Sequence, residues 1–384
     1  MINRAVEGRS LSEEDTQLQR KLKLLNKASI KSIQKRDGDI YDCVDIKKQP
    51  ALDHPNLKNH KIQMRPTFSP KRLVSHEDPS MVNSIRIVKL EDEGCPYGTV
   101  PIRRITKEDL IRTESFSNNY PFTVDDATGS HFANISTIGD YAYYGARGYI
   151  GVYNPQIFSE YHHTDSLISI SNGPPQELNS IDVGWTVNPV LYHDNQTRLF
   201  TRWTRDGYQK TGCYNTNCPG FVQIDPSTPL GIALQPISVP LGQQYEIGIE
   251  VYQDKVTENW WLVVGNEHTT VGYWPKSIFT SLSFADKIVW GGAGHIGGNV
   301  HHYPYIGSGR WPEEGYGKAG YFRQIQVMSL KTKGYGYDDV DGSMIDVFSD
   351  YLNCYRASGF VNLTGGGYSF LYGGGGSHCP PMNI

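Results

Sequence analysis

The chain has 384 residues, a formal net charge of −4 and 12% aromatic residues, and it contains 40 glycines and 22 prolines. This length suits two folding units better than one small domain. The negative charge argues against a nucleic-acid-binding protein, which needs a basic face. The sequence has no run of about 18 apolar residues, so we expect no membrane-spanning segment. Frequent aromatic, glycine and proline residues favour short strands and tight turns over helices.

Residues 1–125 form the first predicted unit, a mostly extended segment that contains one short helix. Ser12 can cap this helix, and leucines at helical spacing follow it in a single narrow stripe. From Ser29 onward the segment is polar, rich in lysine and interrupted by prolines, so it cannot form a core of its own. We therefore expect it to wrap around the second unit. The turn-rich stretch 115–129 is the predicted boundary and the predicted site of proteolytic processing.

Residues 126–384 form the second predicted unit, an all-β domain. Short strands and turns follow one another without strand–helix alternation, which indicates an antiparallel two-sheet β-sandwich. Such a sandwich has a concave face that can hold an extended ligand. The strands are predicted at 131–137, 142–153, 166–171, 180–187, 198–203, 220–224, 245–252, 260–264, 270–274, 287–290 and 323–328.

One of these strands, 180–187, carries a carboxylate at its centre. Its side chains alternate between polar and apolar, which is the period of two expected for a strand with one face in a core. Trp185 belongs to the apolar set, and Asp182 lies on the opposite face. The sequence therefore predicts that Asp182 either lines a groove or points to water.

The six cysteines fall into three local pairs by their spacing. Three disulfides imply an oxidising compartment, and the alternative is six free thiols in a cytosolic protein. The predicted disulfides are Cys43–Cys95, Cys213–Cys218 and Cys354–Cys379.

Three glycosylation sequons, at Asn134, Asn195 and Asn362, also favour a secreted protein. The first residues, MINRAVEGRS, have no apolar region of the kind found in a secretory leader, so the signal peptide that we expect is not visible in this sequence.

Long stretches of the chain resemble the neprosin family. DGDIYDCVDIKKQPALDHPNLKNHKIQ is similar to the neprosin activation peptide. GWTVNPVLYHDNQTRLFTRWTRDGYQKTGCYNTNCPGFVQ, followed by VGYWP and WGG, is similar to the neprosin catalytic domain. The resemblance implies a secreted plant zymogen with a two-sheet sandwich. It also implies a proline-preferring endopeptidase that works at acid pH through two glutamates.

The resemblance places the two catalytic glutamates at positions where this chain has other residues. The first precedes the Gly-Trp dipeptide by two residues, which is Asp182 here, and the second follows Trp-Gly-Gly, which is Ala293 here. Aspartate retracts the carboxylate by about 1.5 Å, and a misplacement of about 1 Å can cost on the order of 10²-fold in rate. Loss of an acid–base partner costs roughly 10²- to 10⁴-fold. The fold is therefore expected to transfer from the family, whereas the catalytic pair is not intact.

Neither a substitute carboxylate nor a metal site stands out in the sequence. Glu267 is a candidate for the missing acid, although a solvated turn residue is the simpler interpretation. The histidines at 295, 301 and 302 match no strong zinc-ligand spacing, so we expect no metal and no cofactor.

Two functions remain open. The first is an acid-active peptidase zymogen, weakened at its catalytic pair, whose activation segment lies across the groove. The second is an inactive sandwich that binds protein or cell-wall polysaccharide through the same groove. Trp203 and Trp290 are the candidates to stack on a substrate, with core packing as the alternative. We expect a monomer whose partner is a peptide or protein substrate.

Overall fold

The computed structural model describes residues 13–71, 83–84, 90, 94–112, 129–139, 141–297, 302–330, 336–363, 366–376 and 379. Two large β-sheets pack face to face, and a small three-stranded sheet lies in the N-terminal segment. The all-β, antiparallel two-sheet sandwich predicted from the sequence is confirmed. Within the described residues no helix is long and apolar enough to cross a membrane.

The smaller of the two sheets has seven strands, all antiparallel to their neighbours. Across the sheet they follow the order β10 (Cys213–Tyr214), β9 (Thr197–Thr204), β8 (Asn179–Val187), β7 (His163–Asn172), β15 (Lys287–His295), β5 (Ser130–Thr137) and β19 (Ile345–Ser349).

The larger sheet has eleven strands among the described residues. Its main path is β11 (Val222–Gln223), β14 (Thr269–Trp274), β13 (Trp260–Val264), β12 (Tyr245–Gln253), β6 (Tyr143–Gly151), β17 (Gly320–Ser329), β21 (Tyr368–Gly374) and β16 (Ile306–Gly307). Three short strands pair at its sides: β3 (Asn83–Ser84), β18 (Asp338–Asp339) and β20 (Tyr355–Ala357).

Large side chains from the facing surfaces of the two sheets fill the core. The indole nitrogen of Trp185 on β8 donates to the carbonyl of Gly151 on β6 at 3.0 Å, and that of Trp290 on β15 donates to Arg147, also on β6, at 3.3 Å. These two bonds join the sheets directly, so the two tryptophans fix the sheets against each other as well as filling space. The polar side chains of the smaller sheet are thereby directed to its other face.

The N-terminal segment folds onto the sandwich. It contains α1 (Glu13–Leu25), the sheet β1 (Ser29–Gln34), β2 (Ile40–Asp45) and β4 (Thr99–Arg103), and a short helix α2 over 107–112. Ser12, the expected cap of α1, and most of the predicted boundary 115–129 lie outside the described residues.

One part of this segment covers the outer face of the larger sheet. Ala51 and Phe68 pack with Tyr252, Trp261 and Tyr273, which point away from the core between the sheets. Burial of this second apolar cluster helps to hold the segment in place. Contrary to the prediction that the segment has no core, it also has a small one of its own, formed by Val44, Val100 and Ile102 in its three-stranded sheet.

A second part of the segment meets the smaller sheet. Asp39, just before β2, pairs with the buried Arg198 on β9, and Arg112 donates to the carbonyl of Val190 at 2.8 Å. Val190 lies in α3 (Pro189–Tyr192), the short helix after β8. The described segment therefore contacts both sheets: it pairs with β9 and the β8–β9 connection on one side and packs on the outer face of the larger sheet on the other. That it lies across the groove stays a prediction.

All six cysteines are paired in disulfides: Cys43–Cys95, Cys213–Cys218 and Cys354–Cys379. The first lies within the N-terminal segment, so it links no part of that segment covalently to the sandwich. The third ties the glycine-rich C-terminal stretch to residues just before β20, and that stretch supplies β21 of the larger sheet.

Candidate functional site

The face of the smaller sheet that is turned away from the core carries a continuous set of ionisable side chains. We call it the polar face and define it by His163, Asp165, Asp182, Arg202 and His295. Strand pairing fixes the set, since side chains on directly paired residues share a face. Asp182 pairs with Arg202 on β9, and His163 and Asp165 lie on β7 beside β15.

Asp182 is buried on this face and not open to water as one of the two predictions had it. Its carboxylate accepts hydrogen bonds from Ser169 Oγ at 2.6 Å, Arg202 Nε at 3.0 Å and Tyr208 OH at 3.0 Å. Only 4% of the surface of Asp182 is exposed to solvent. Three donors, one of them charged, satisfy most of the acceptor capacity of a carboxylate. As it stands, this group is bound to its neighbours and not directed at an empty groove.

Ala293 lies on β15 directly opposite Asp165 on β7. No acid near Ala293 in the sequence replaces the missing glutamate, but the fold brings one there from the neighbouring strand. Asp165 is fully buried, and its carboxylate oxygen lies 3.4 Å from His295 Nε2. His295 is the strand partner of His163, and their rings stack with centroids 4.1 Å apart.

Asp182 and Ala293 are not level with each other in the sheet. Asp182 pairs with Ser169, and Ser169 pairs with Val289, four residues before Ala293. The two positions are thus two strands and four residues apart. The side chain that links their neighbourhoods is Arg202, whose charge acts on both Asp182 and Asp165.

Burial and charge together set the protonation of this face. Burial alone would raise the pKa of Asp165, but His295 and Arg202 outweigh it and lower the pKa to about 2. Burial, followed by the adjacent His295, lowers the pKa of His163 well below its ordinary value. Burial opposes the charge of Arg202, but tyrosines 208 and 214 and Asp182 raise its pKa well above the usual range. At neutral pH the face therefore holds an ionised Asp165, a neutral His163 and a charged Arg202.

The cluster of His163, Asp165 and His295 was not predicted, because the strands that carry it are longer than predicted. The predictions began one strand at residue 166 and ended the other at residue 290, whereas β7 begins at His163 and β15 ends at His295. The sequence gives little sign of this extension, because residues 163–166, HTDS, are all polar and do not alternate with apolar residues.

The structure corrects the predictions for the two tryptophans and bears on those for Glu267 and the histidines. Trp203 and Trp290 are 2% and 0% exposed and lie in the core between the sheets, so neither is placed to stack on a substrate. Glu267 is exposed in the turn between β13 and β14 of the larger sheet, on the other side of the sandwich. His302 is exposed beside Phe158, apart from the cluster that contains His295, and His301 lies outside the described residues.

The three sequons differ in their surroundings. Asn195 and Asn362 are exposed, in the turn between α3 and β9 and in the loop before β21. Asn134 lies half-buried within β5, with its backbone paired to Gly291 on β15. Asn195 and Asn362 are therefore accessible to a glycan, and Asn134 is much less so.

The molecule is thus a β-sandwich with buried ionisable residues on one sheet face and an N-terminal segment folded onto the sandwich. Comparison with known families agrees with both parts. Residues 160–375 match the family model described as Neprosin, and residues 32–137 match the one described as Neprosin activation peptide. The chain belongs to the neprosin family.

Two solved structures are also similar to this chain. One is a crystal structure of scytalido-glutamic peptidase with a peptide-based transition state analog, at 11% identity and a TM-score of 0.38. The other is scytalido-glutamic peptidase with a transition state analog inhibitor, at 11% identity and a TM-score of 0.35. Each match covers 64% of this chain and 98% of the other.

Proposed function

We propose that the protein is a peptidase zymogen in which residues 1–125 are the activation segment and residues 126–384 the peptidase. The observation that carries the proposal is the presence, in one chain, of both the activation-peptide and the neprosin regions, with the former folded onto the latter. The N-terminal segment buries apolar surface on residues 126–384. Such a segment is expected to inhibit the peptidase until it is removed. Processing within 115–129 would separate the two.

The reaction proposed is hydrolysis of peptide bonds after proline at acid pH on the polar face. Asp182 is the catalytic carboxylate that remains of the family pair. Acid pH favours the reaction because the carboxylates that hold the activation segment lose their charge there, which weakens the attachment of the segment. Because Ala293 supplies no partner, turnover is roughly 10²- to 10⁴-fold below that of a chain with both acids.

The test is to express the chain with a secretory leader, hold it at about pH 3 and about pH 7, and follow a proline-containing peptide by mass spectrometry. We expect cleavage at acid pH, its loss in Asp182→Asn, and an increase in Ala293→Glu. Asp286→Asn is the matched control, because Asp286 is exposed just before β15, away from the polar face. If Asp182→Asn cleaves as fast as the natural chain, the assignment of Asp182 fails.

A second function has an observation of its own in its favour. Asp182 is held by Arg202, Ser169 and Tyr208, and position 293 has no carboxylate, so the face resembles a binding surface as much as a catalytic one. In this alternative the processed sandwich binds a peptide or a cell-wall polysaccharide without cleaving it. An uncut peptide after removal of residues 1–125, together with retention of the processed chain on a polysaccharide column, would establish it.

We also propose that the protein is a secreted, glycosylated monomer of plant origin. The disulfides support an oxidising compartment, and the exposure of Asn195 and Asn362 supports glycan attachment there. Secretion into medium, a mass decrease on treatment with a peptide N-glycosidase, and a single monomeric species in analytical ultracentrifugation are the expected results.

A further inference from the structure

Four residues at one end of the polar face form a rectangle across two paired strands. His163 and Asp165 stand two apart on β7, so they share a face, and His295 and Ala293 are their direct partners on β15. Paired residues have Cβ atoms roughly 5 Å apart. Three of the four corners are therefore metal-ligand side chains, and the fourth is the methyl group of Ala293.

We propose that His163, Asp165 and His295 bind a Zn²⁺ ion. One ligand atom from each residue lies within 4.8 Å of the others. Ligands at about 2.0–2.1 Å from one zinc ion lie at most about 4 Å apart, so small side-chain movements would complete the set. Two imidazoles and one carboxylate are a donor set that zinc accepts with a position left for water. This inference does not depend on peptidase activity.

The surroundings of His295 resemble those of a ligand held in one orientation. Its Nδ1 lies 2.8 Å from Ser130 Oγ, which leaves Nε2 directed at Asp165. At 3.4 Å that approach is longer than a good hydrogen bond, and among the described residues neither oxygen of Asp165 has a well-formed one. A buried carboxylate in this condition is costly unless another group binds it, and a cation at the centre of the rectangle would do so.

Two features of the site disfavour zinc binding, and each predicts a measurable effect. The rings of His163 and His295 are nearly parallel, 16° apart, so they must tilt away from each other to aim both nitrogens at one point. Arg202 places a positive charge near Asp165, although Asp182 is paired with it. The ring stack should therefore open on binding, and the affinity should be lower than that of a site without a nearby cation.

Position 293 is the fourth corner of the rectangle, so a substitution there should change zinc binding. A glutamate at this corner would place a second carboxylate against Asp165, and two buried carboxylates repel each other unless a cation lies between them. We therefore expect Ala293→Glu to tighten zinc binding by adding a fourth ligand, whatever it does to peptide cleavage.

The experiment uses the full chain, stripped with a chelator and equilibrated with Zn²⁺ alone, with bound metal measured after gel filtration. We expect one Zn²⁺ per chain, and a Co²⁺ form whose visible absorption spectrum is that of nitrogen and oxygen ligation. Retention of no zinc by the natural chain at micromolar free metal would overturn the proposal without recourse to any variant.

Variants then locate the ion. Asp165→Asn and His295→Gln should lose the bound metal, and Ser130→Ala should weaken binding by about 10- to 100-fold. His162→Gln is the matched control, because His162 is also buried, is adjacent in sequence and is not in the cluster. Circular dichroism verifies that each variant is folded. Equal zinc binding by the natural chain and by folded His295→Gln would also overturn the proposal.

Discussion

At the scale of single residues, small side chains decide how closely the strands of the polar face approach. Gly184 lies between Asp182 and Thr186 on the same face of β8. A Cβ added at Gly184 would lie 1.9 Å from the carbonyl oxygen of Ser166 on β7. The glycine of the Gly-Trp dipeptide is therefore explained by backbone packing, and the position of Asp182 depends on it.

Gly184→Ala is expected to destabilise the protein by at least about 1–3 kcal/mol, because a rigid backbone atom and not a flexible side chain blocks the added methyl group. Urea unfolding monitored by tryptophan fluorescence measures the free energy. The control is Gly359→Ala, since Gly359 is exposed and has nothing within 4 Å of an added Cβ. Equal stabilities for the two variants would contradict the packing argument.

At the scale of elements, one glutamine side chain ties the N-terminal segment to the larger sheet. Gln49 Nε2 donates to the carbonyl of Gln223 at 3.1 Å, and its Oε1 accepts from the amide of Gln223 at 2.8 Å. It thus pairs with β11 as a strand would. The partners are 174 residues apart in the chain, so nothing local in the sequence announces the contact.

Gln49→Ala should lower the free energy of unfolding by about 1–3 kcal/mol, because the buried backbone groups of Gln223 lose both partners. The matched control is Gln34→Ala, which removes the same kind of side chain from an exposed position in β1 and should stay within about 0.5 kcal/mol of the natural chain. Denaturant unfolding of both variants measures the free energy of unfolding. An equal decrease in the two variants would show that the Gln49–Gln223 contact does not stabilise the protein.

The positions of the strands were predicted from the sequence more accurately than their ends. Each strand predicted from residue 131 onward lies on an observed strand, because alternation and β-propensity are local properties. The ends were less well predicted. Polar residues at the start of β7 and glycines at the end of β15 look like loop, and their strand state depends on pairing with each other.

At the scale of the whole molecule, carboxylates hold the N-terminal segment to the sandwich. Burial would raise the pKa of Asp39, but Arg198 and Arg103 lower it below the usual 3.8. Asp254, directly after β12, accepts a 2.7 Å hydrogen bond from Thr67 Oγ1. Burial would raise the pKa of Asp254, but hydrogen bonds from the Thr67 backbone and side chain lower it. A carboxylate with a lowered pKa stabilises the attached state fully above about pH 4, and this is lost as the pH falls through the lowered value.

We therefore expect a chain nicked within 115–129 to keep its segment at pH 7 and to hold it less tightly as the pH falls below about 4, as measured by gel filtration at pH 7 and about pH 3. Asp39→Asn should release the segment more readily at pH 7 and should depend less on pH. The control is Asp53→Asn, whose carboxylate pairs with Lys27 inside the segment. Retention that is the same at pH 3 and pH 7 would refute this account of attachment.

The sequence by itself determined the β-sandwich, the cysteine pairs and the family, because these follow from local alternation, from the grouping of the cysteines along the chain and from long motifs. The tertiary structure decided which side chains meet. It placed Trp203 and Trp290 in the core, bound Asp182 to Arg202, and brought Asp165 opposite Ala293. The physical reason is that register between strands far apart in the sequence is set by packing of the whole sandwich, and no local pattern records it.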